Sequence, residues 1–286
     1  MLQLKIAEIT ILLFSDHPEL EIDVPLIYTP FLSNCEPDVR LTVKMGLPNL
    51  SDTATLIFHT DGNWSLYREN GDYFIPVCFP PGADPWLIAK MDSDFCNGEI
   101  FVTGNRTIPP HFFPLEYPLD ELLMINLLAR GKGVLLHACA IKDGDKGILF
   151  AGTSGAGKST TANLWQDIPG VTLLSDDRVV LRRYDNRFWI YGTPWHGDAR
   201  AASPEAVELD RIFILNQASL NNVIPLRPLD AASRLLVRAF PTFWDTDGMQ
   251  FTMNFLSDLV QTAPCFQLDF LPDPSAVEYI QEITAN

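Results

Sequence analysis

The sequence is short of basic residues. It contains 20 Lys and Arg against 36 Asp and Glu, which gives a formal net charge of −16 at pH 7. A protein of this charge repels the phosphate backbone of nucleic acids and the headgroups of anionic membranes. We therefore expect neither a nucleic acid nor a membrane as a partner.

Long apolar runs and closely spaced cysteines are also missing. No apolar run reaches the roughly 18 residues of a membrane-spanning helix, and the N-terminus lacks a basic segment followed by a small-residue cleavage site. The five cysteines are scattered, and no two have the CxxC spacing, which argues against a zinc site and a redox pair. These absences predict a globular, cytoplasmic protein.

The first part of the chain has the pattern of a β-rich domain. Short apolar or alternating runs recur at residues 5–14, 38–45, 55–59, 86–90 and 99–103. Asn70-Gly71 separates two further runs and favours a type I′ hairpin turn, which needs positive φ at both positions. Residues 107–118 contain four prolines and predict a break between domains. We predict a smaller antiparallel β-rich domain at residues 1–118, with substrate recognition as a candidate role.

The second part of the chain alternates strands and helices. A helix is predicted from Leu119, followed by apolar strands at residues 134–141 and 146–152, a helix ending near Trp165 and a strand at residues 171–175. A strand, loop, helix and strand in this order form a βαβ unit. Residues 119–286 are therefore predicted to be an α/β domain with a mixed sheet.

A glycine-rich loop joins the second strand to its helix. The segment GTSGAGKS fits the P-loop pattern G-x-x-x-x-G-K-[ST] at every fixed position. In this pattern, glycines let the backbone N–H groups wrap phosphates, the lysine bridges the terminal phosphates and the serine hydroxyl joins a Mg²⁺ ion. The predicted nucleotide-binding residues are Gly152, Thr153, Ser154, Gly155, Ala156, Gly157, Lys158, Ser159 and the adjacent Thr160. The guanine signature N-K-x-D and the transporter signature L-S-G-G-Q are absent, which favours ATP with Mg²⁺ and disfavours GTPases and transporter ATPases.

Two adjacent carboxylates follow the next strand. Asp176 and Asp177 come directly after residues 171–175. Both strands of a right-handed βαβ unit end at the same edge of the sheet, so the pair should reach the phosphate site. One carboxylate could hold Mg²⁺ and the other could accept a proton from an attacking hydroxyl.

These segments resemble a known family. LLHACAIKDGDKGILFAGTSGAGKSTTANLW and LLSDDRV are similar to the catalytic domain of HPr kinase/phosphorylase and of related kinases, including those of modified-peptide gene clusters. That fold is akin to phosphoenolpyruvate carboxykinase. The resemblance spans roughly residues 130–285. It implies that Asp177 is the acid/base residue, that His137 is an active-site histidine and that Asp176 is the carboxylate left for the metal.

Further candidates follow the aspartate pair. The resemblance implies another metal-binding carboxylate, for which Asp198 in the segment TPWHGD is the candidate, with His196 as a polar anchor; a solvated turn is the alternative. The candidate cations for the transition state are Arg178, Arg182, Arg183, Arg187, Arg200, Arg211, Arg227 and Arg238. Because the family has an essential arginine well downstream, Arg238 is the choice it implies.

The sequence also departs from that family. HPr kinases usually have Glu after the P-loop serine, whereas Thr160 stands there in this chain. Their later glycine-rich stretch is not recognisable, and residues 1–118 show no likeness to them. Kinase chemistry therefore carries over better than the HPr substrate does.

Together, the motifs predict an ATP- and Mg²⁺-dependent kinase that phosphorylates a Ser or Thr hydroxyl of a small protein or peptide. The alternatives are a kinase for a small metabolite and a nucleotide-gated sensor with little turnover. A homo-oligomer is left open.

Overall fold

The computed structural model describes residues 1–17, 20–60, 62–103 and 112–285. The chain divides into two compact units, Met1–Arg130 and Gly131–Asn286. This division lies after the helix that begins at Leu119, whereas the proline-rich segment placed the boundary before it. Residues 107–111 of that predicted linker lie outside the described residues.

The first unit is built around one eight-stranded sheet. Its strands are β1 (Leu2–Ile6), β2 (Ile9–Ser15), β3 (Val39–Met45), β4 (Thr55–His59), β5 (Ser65–Glu69), β6 (Asp72–Cys78), β7 (Pro85–Met91) and β8 (Asn97–Val102). They are ordered β1-β2-β3-β8-β7-β6-β5-β4. A 3₁₀ helix (Leu26–Phe31) and helix α1 (Leu119–Leu128) complete the unit, and every residue of α1 is buried.

The sheet of the first unit is mixed, so the prediction of an antiparallel domain was wrong in part. The pairs β2–β3 and β3–β8 are parallel. The alternation of apolar residues that predicts a strand is the same in both directions, and the long connection from β2 to β3 leaves room for a parallel crossover. The first predicted run is a hairpin of two strands, turned at Ala7 and Glu8 with φ of 49° and 61°. The Asn70-Gly71 turn has positive φ at both residues, as predicted.

In its described residues, the second unit contains eight strands and four helices. The strands are β9 (Val134–Asp143), β10 (Lys146–Ala151), β11 (Val171–Ser175), β12 (Arg178–Tyr184), β13 (Arg187–Tyr191), β14 (Ala206–Gln217), β15 (Asn222–Pro225) and β16 (Cys265–Phe270). The helices are α2 (Lys158–Gln166), α3 (Pro228–Leu236), α4 (Thr246–Thr262) and α5 (Ser275–Ala285). The sheet order is β10-β9-β12-β13-β14-β16-β15, with β11 beside β9.

The long strands β9 and β14 organise this unit. The first half of β9 pairs with β12 and its second half pairs with β10 and β11. β14 pairs with β13, and it also runs parallel to both β10 and β16. The strands β9, β10, β14, β13 and β12 therefore close into a ring. The mixed α/β architecture agrees with the prediction for this half of the chain.

Side chains alternate along β9 between two apolar cores. Leu136 belongs to a core that includes Leu256 of α4. Ile141 belongs to a second core, with Trp165 of α2 and Ile280 of α5. Helices therefore pack on both sides of the central strands, which fixes the strand ends that carry the site.

The described stretches of the chain contain no helix that is both long enough and apolar enough to cross a membrane.

Candidate functional site

The P-loop connects β10 to α2 and has the conformation that its glycines allow. Gly155 and Gly157 have φ of +77° and +105°, which side chains rarely tolerate. A Cβ on Gly157 would also lie 2.5 Å from the ring of Phe270. Both the backbone conformation and the contact with Phe270 therefore exclude a side chain at position 157.

The ammonium group of Lys158 lies inside the loop. Its Nζ donates to the carbonyl oxygens of Gly152 and Thr153 at 3.0 and 3.2 Å, and the residue is only 7% exposed. Burial lowers the pKa of Lys158; the negative charge of Asp177 opposes this shift and the positive charge of Arg238 adds to it. The loop therefore encloses a cation that is bound by carbonyl oxygens.

The strand topology brings the aspartate pair to the P-loop. β9 lies between β10 and β11 and is antiparallel to both, so β10 and β11 are parallel and end at the same edge. A cavity of about 490 Å³ opens at this edge. Ten predicted site residues line it: His137, Ser154, Gly155, Gly157, Lys158, Ser159, Thr160, Asp176, Asp177 and Asp198. Gly152, Thr153, Ala156 and Arg238 are not among its lining residues.

Asp177 is held by the imidazole of His137 and the guanidinium of Arg178. His137 Nε2 lies 3.0 Å from Asp177 Oδ1, and Arg178 Nη1 donates to Asp177 Oδ2. Arg178 pairs directly with His137 across β12 and β9, which places both side chains on the same face. This arrangement fixes the orientation of the carboxylate.

The pKa of Asp177 is lowered. Burial by itself would raise the pKa, because it disfavours the charged form. The hydrogen bond from His137 and the positive charges of Arg178 and Lys158 outweigh burial and hold the pKa below the ordinary value of 3.8. The carboxylate of Asp177 is therefore ionised at neutral pH.

Asp176 has different surroundings. It is 1% exposed, and its carboxylate accepts hydrogen bonds from the backbone N–H groups of Gly197, Ala199 and Ala201. These donors belong to the connection between β13 and β14, which we call the Asp198 loop (residues 192–205). The first aspartate of the pair is thus bound to the chain itself.

Arg238 lies beside His137 on a short segment after α3. The N–H of His137 donates to the carbonyl oxygen of Arg238 at 2.7 Å, and a β-bridge joins Leu136 to Ala239. Arg238 Nη1 donates to the carbonyl oxygen of Arg234, while its Nε is buried and finds no hydrogen-bond partner among the described residues. The cation chosen from the sequence therefore lies close to the His137–Asp177 pair, outside the lining of the cavity.

Most of the other candidate arginines are bound elsewhere. Arg182 donates to the carbonyl oxygen of Lys132. Carboxylates hold four others: Arg183, Arg187, Arg211 and Arg227. Arg178 is the candidate that forms an ion pair with a predicted catalytic residue, Asp177. His196 is exposed, its Nδ1 lies 2.9 Å from the carbonyl oxygen of Gly197, and it does not line the cavity.

Sequence reasoning missed Gln217. This residue ends β14, which runs parallel to β10, so its side chain reaches the same edge of the sheet. Gln217 Nε2 donates to the carbonyl oxygen of Gly155 at 3.1 Å, and Gln217 lines the cavity. The available signal was a polar residue at the end of an apolar strand, but the sequence does not show that this strand neighbours the P-loop strand.

Comparisons with known proteins place the chain in a family. No curated protein matches it. Among solved structures, the chain is similar to the HPr(Ser) kinase/phosphatase from Coxiella burnetii, with 12% sequence identity and a TM-score of 0.30; the likeness covers 53% of this chain and 99% of the other. The family described as SynChlorMet cassette protein ScmC has a model that matches residues 120–269, more than half of the chain, and the protein therefore belongs to this family.

Proposed function

We propose that the protein is an ATP- and Mg²⁺-dependent kinase that transfers the γ-phosphoryl group to a Ser or Thr hydroxyl of a small protein or peptide. The family name specifies no chemistry, so the proposal is argued from the site. One observation carries it: a single cavity joins a P-loop to an ionised, oriented carboxylate, Asp177. A protein that only binds nucleotide needs the loop and has no use for an acceptor base.

The residues of the loop fit a triphosphate. Gly155 and Gly157 keep side chains out of the cradle, and α2 begins at Lys158, so the N-terminus of the helix points at the same space. The neutral carbonyl oxygens of Gly152 and Thr153 bind the ammonium of Lys158 more weakly than an anionic acceptor would. Phosphate oxygens would therefore replace them as its partners.

The site also fits Mg²⁺ that is bound mainly through the nucleotide. No group of three or more His, Cys, Asp or Glu that could hold a metal exists in the described part of the chain. Mg²⁺ is usually bound by one or two protein oxygens together with phosphates and water. Ser159 and Asp198 line the cavity and would supply such oxygens. When bound, the ion would neutralise charge on the phosphates.

The chain's own residues account for the proton. The acceptor hydroxyl gives its proton to the carboxylate of Asp177 as its oxygen forms a bond to the γ-phosphorus. The bond from that phosphorus to the bridging oxygen breaks, and ADP leaves. His137 and Arg178 hold the carboxylate in place, while Lys158 stabilises charge on the transferring group.

The test is phosphoryl transfer from γ-labelled ATP. Small proteins and Ser- or Thr-containing peptides are offered to the parent protein, with small hydroxyl metabolites as a separate set. We expect labelled peptide or protein with the parent and none with Lys158→Ala. Label found only on a small metabolite would move the proposal to a metabolite kinase. Tight ATP binding with no labelled acceptor of any class would favour a nucleotide-gated sensor.

A further inference from the structure

The two adjacent aspartates have different environments, and the difference assigns a role to the first of them. We propose that Asp176 is a positioning residue: its carboxylate holds the Asp198 loop against the end of β11, so that Asp198 faces the cavity, and Asp176 is not itself a metal ligand. The inference rests on the proposed nucleotide site, although its geometry does not depend on any ligand.

Three of the roughly four acceptor positions of the Asp176 carboxylate are occupied by backbone N–H groups. Its Oδ1 accepts from Gly197 N at 2.9 Å and from Ala201 N at 3.2 Å, and its Oδ2 accepts from Ala199 N at 2.8 Å. Hydrogen bonds to a charged acceptor are about twice as strong as those between neutral groups, and here they are almost completely removed from water. A metal ion at Asp176 could use only the remaining acceptor position of Oδ2. Any other approach would displace N–H groups, which would then be left without partners.

Neighbouring contacts pin the same loop at both ends. Ser175 Oγ donates to the carbonyl oxygen of Trp195 at 3.0 Å, and Thr193 Oγ1 donates to the carbonyl oxygen of Arg178 at 2.5 Å. At the far end, the N–H of Ser203 donates to the carbonyl oxygen of Leu174 at 3.1 Å. Between these anchors, the Asp176 carboxylate accepts from Gly197, Ala199 and Ala201 and so fixes residues 196–201 beside the end of β11.

Gly197 shows how closely the loop approaches. A Cβ on this residue would lie 2.9 Å from Asp176 Oδ2, which is closer than a real Cβ contact. The absence of a side chain at Gly197 is thus what lets its N–H reach the carboxylate. The backbone of the Asp198 loop therefore packs directly against the Asp176 carboxylate.

Asp198 differs from Asp176 in both exposure and hydrogen bonding. It is exposed, it lines the cavity with Ser159, and it has no hydrogen bond or ion pair with any described residue. Its two chain neighbours both donate their N–H groups to Asp176, so the buried carboxylate fixes the backbone that presents the free one. Of the two, Asp198 is therefore the residue whose oxygens are available to a cation.

Trp195 gives a readout that needs neither metal nor nucleotide. This residue is 8% exposed, and its carbonyl oxygen is one of the anchors. In Asp176→Asn, the amide of Asn can accept only part of the three N–H bonds, so the loop should loosen. We expect acrylamide quenching of the Trp195 emission, obtained by subtracting the Trp195→Phe background, to rise about 3-fold or more in Asp176→Asn without Mg²⁺. The matched variant Asp198→Asn should quench like the parent.

In a second experiment, Mg²⁺ is titrated at a fixed ATP concentration and nucleotide affinity is measured. We expect Asp198→Asn to need about 10-fold more Mg²⁺ and then to recover, whereas Asp176→Asn should stay weak at any Mg²⁺ concentration. Unchanged Trp195 quenching in Asp176→Asn, together with recovery at high Mg²⁺, would overturn the proposal. If no protein binds ATP, the kinase proposal fails, but the quenching experiment still decides the role of Asp176.

Gly197→Ala covers the case in which Asp176→Asn does not fold. This variant keeps the Asp176 charge and pushes the loop away from it. We expect the same rise in Trp195 quenching as in Asp176→Asn. Parent-like quenching and Mg²⁺ dependence in Gly197→Ala would contradict the positioning role.

Discussion

Charged side chains are used differently in the two units. On the sheet of the first unit, a shallow cavity of about 300 Å³ is lined by charges that pair with other charges, such as Lys90 with Asp72 at 3.0 Å. In the second unit, Lys158 forms no ion pair with any described residue, and carbonyl oxygens alone hold its ammonium group. Paired surface charges contribute little to stability and attract a ligand only weakly, whereas a buried ammonium group that forms no ion pair favours an anionic ligand. The contrast predicts where nucleotide binds, and variants in both units test it.

The largest expected effect is the loss of nucleotide binding in Lys158→Ala. At a hundredfold excess over Kd, a ligand stabilises the folded state by about 2.7 kcal/mol, which corresponds to a rise in Tm of about 5 °C for a chain of this size. MgATP should produce this rise in the parent and almost none in Lys158→Ala. The matched variant Lys90→Ala in the first unit should respond like the parent. An equal response of all three proteins to MgATP would refute the P-loop assignment.

The next effect separates binding from chemistry. Asp177→Asn keeps the size of the side chain but cannot take up a proton. Phosphoryl transfer to the acceptor should fall by about 10²–10⁴-fold, while ATP affinity changes far less, because the P-loop and Lys158 are unaltered. Initial rates and nucleotide titrations measure the two quantities separately.

Asp72→Asn is the control for this variant. It removes an ion-paired carboxylate of the first unit and should leave both transfer and ATP affinity unchanged. Transfer by Asp177→Asn at the parental rate would show that positioning and charge stabilisation carry the reaction without a base.

A smaller effect concerns stability at acid pH. The pKa of Asp177 is lowered in the folded protein, so its ionised form stabilises the fold. This stabilisation is fully present above the unfolded value of 3.8 and is lost as the pH falls through the lower folded value. We expect the free energy of unfolding of the parent to be about 1–3 kcal/mol larger than that of Asp177→Asn at neutral pH. This difference should become smaller only below about pH 3.8.

Urea unfolding of both proteins between pH 7 and pH 3, without nucleotide, measures this difference. The partly exposed pair Lys90–Asp72 provides the comparison, since Asp72→Asn should lower the free energy of unfolding little at any pH. If the difference in the free energy of unfolding between the parent and Asp177→Asn already disappears near neutral pH, the His137 and Arg178 contacts do not hold the carboxylate ionised.

Local patterns predicted the P-loop strand, its helix and the hairpin turn at Asn70-Gly71, because these depend on neighbours in sequence. The arrival of Asp176 and Asp177 at the loop also followed from the βαβ rule, although β9 was not expected between the two strands. The different partners of the two aspartates could not be predicted, since they come from N–H groups more than twenty residues away and from the side chain of His137. The same holds for Gln217 and for the parallel pairs of the first unit, which depend on strand order.

The smallest effect compares two glycines that have the same backbone conformation in different units. Gly71 and Gly155 have φ of +94° and +77°, and a Cβ on either would meet nothing within 4 Å. Alanine at each position should therefore cost about 1–2 kcal/mol from backbone strain alone. The two variants should lose similar Tm without nucleotide.

They should differ once MgATP is added. The methyl group of Gly155→Ala would belong to the lining of the cavity beside the P-loop, where backbone N–H groups would have to approach phosphate. Gly71→Ala changes only a hairpin turn. Gly71→Ala should keep the full ATP-dependent rise in Tm, and Gly155→Ala should keep only part of it. Equal rises in the two variants would mean that Gly155 serves the fold of the loop and not the approach of the ligand, because strain is matched and only the location differs.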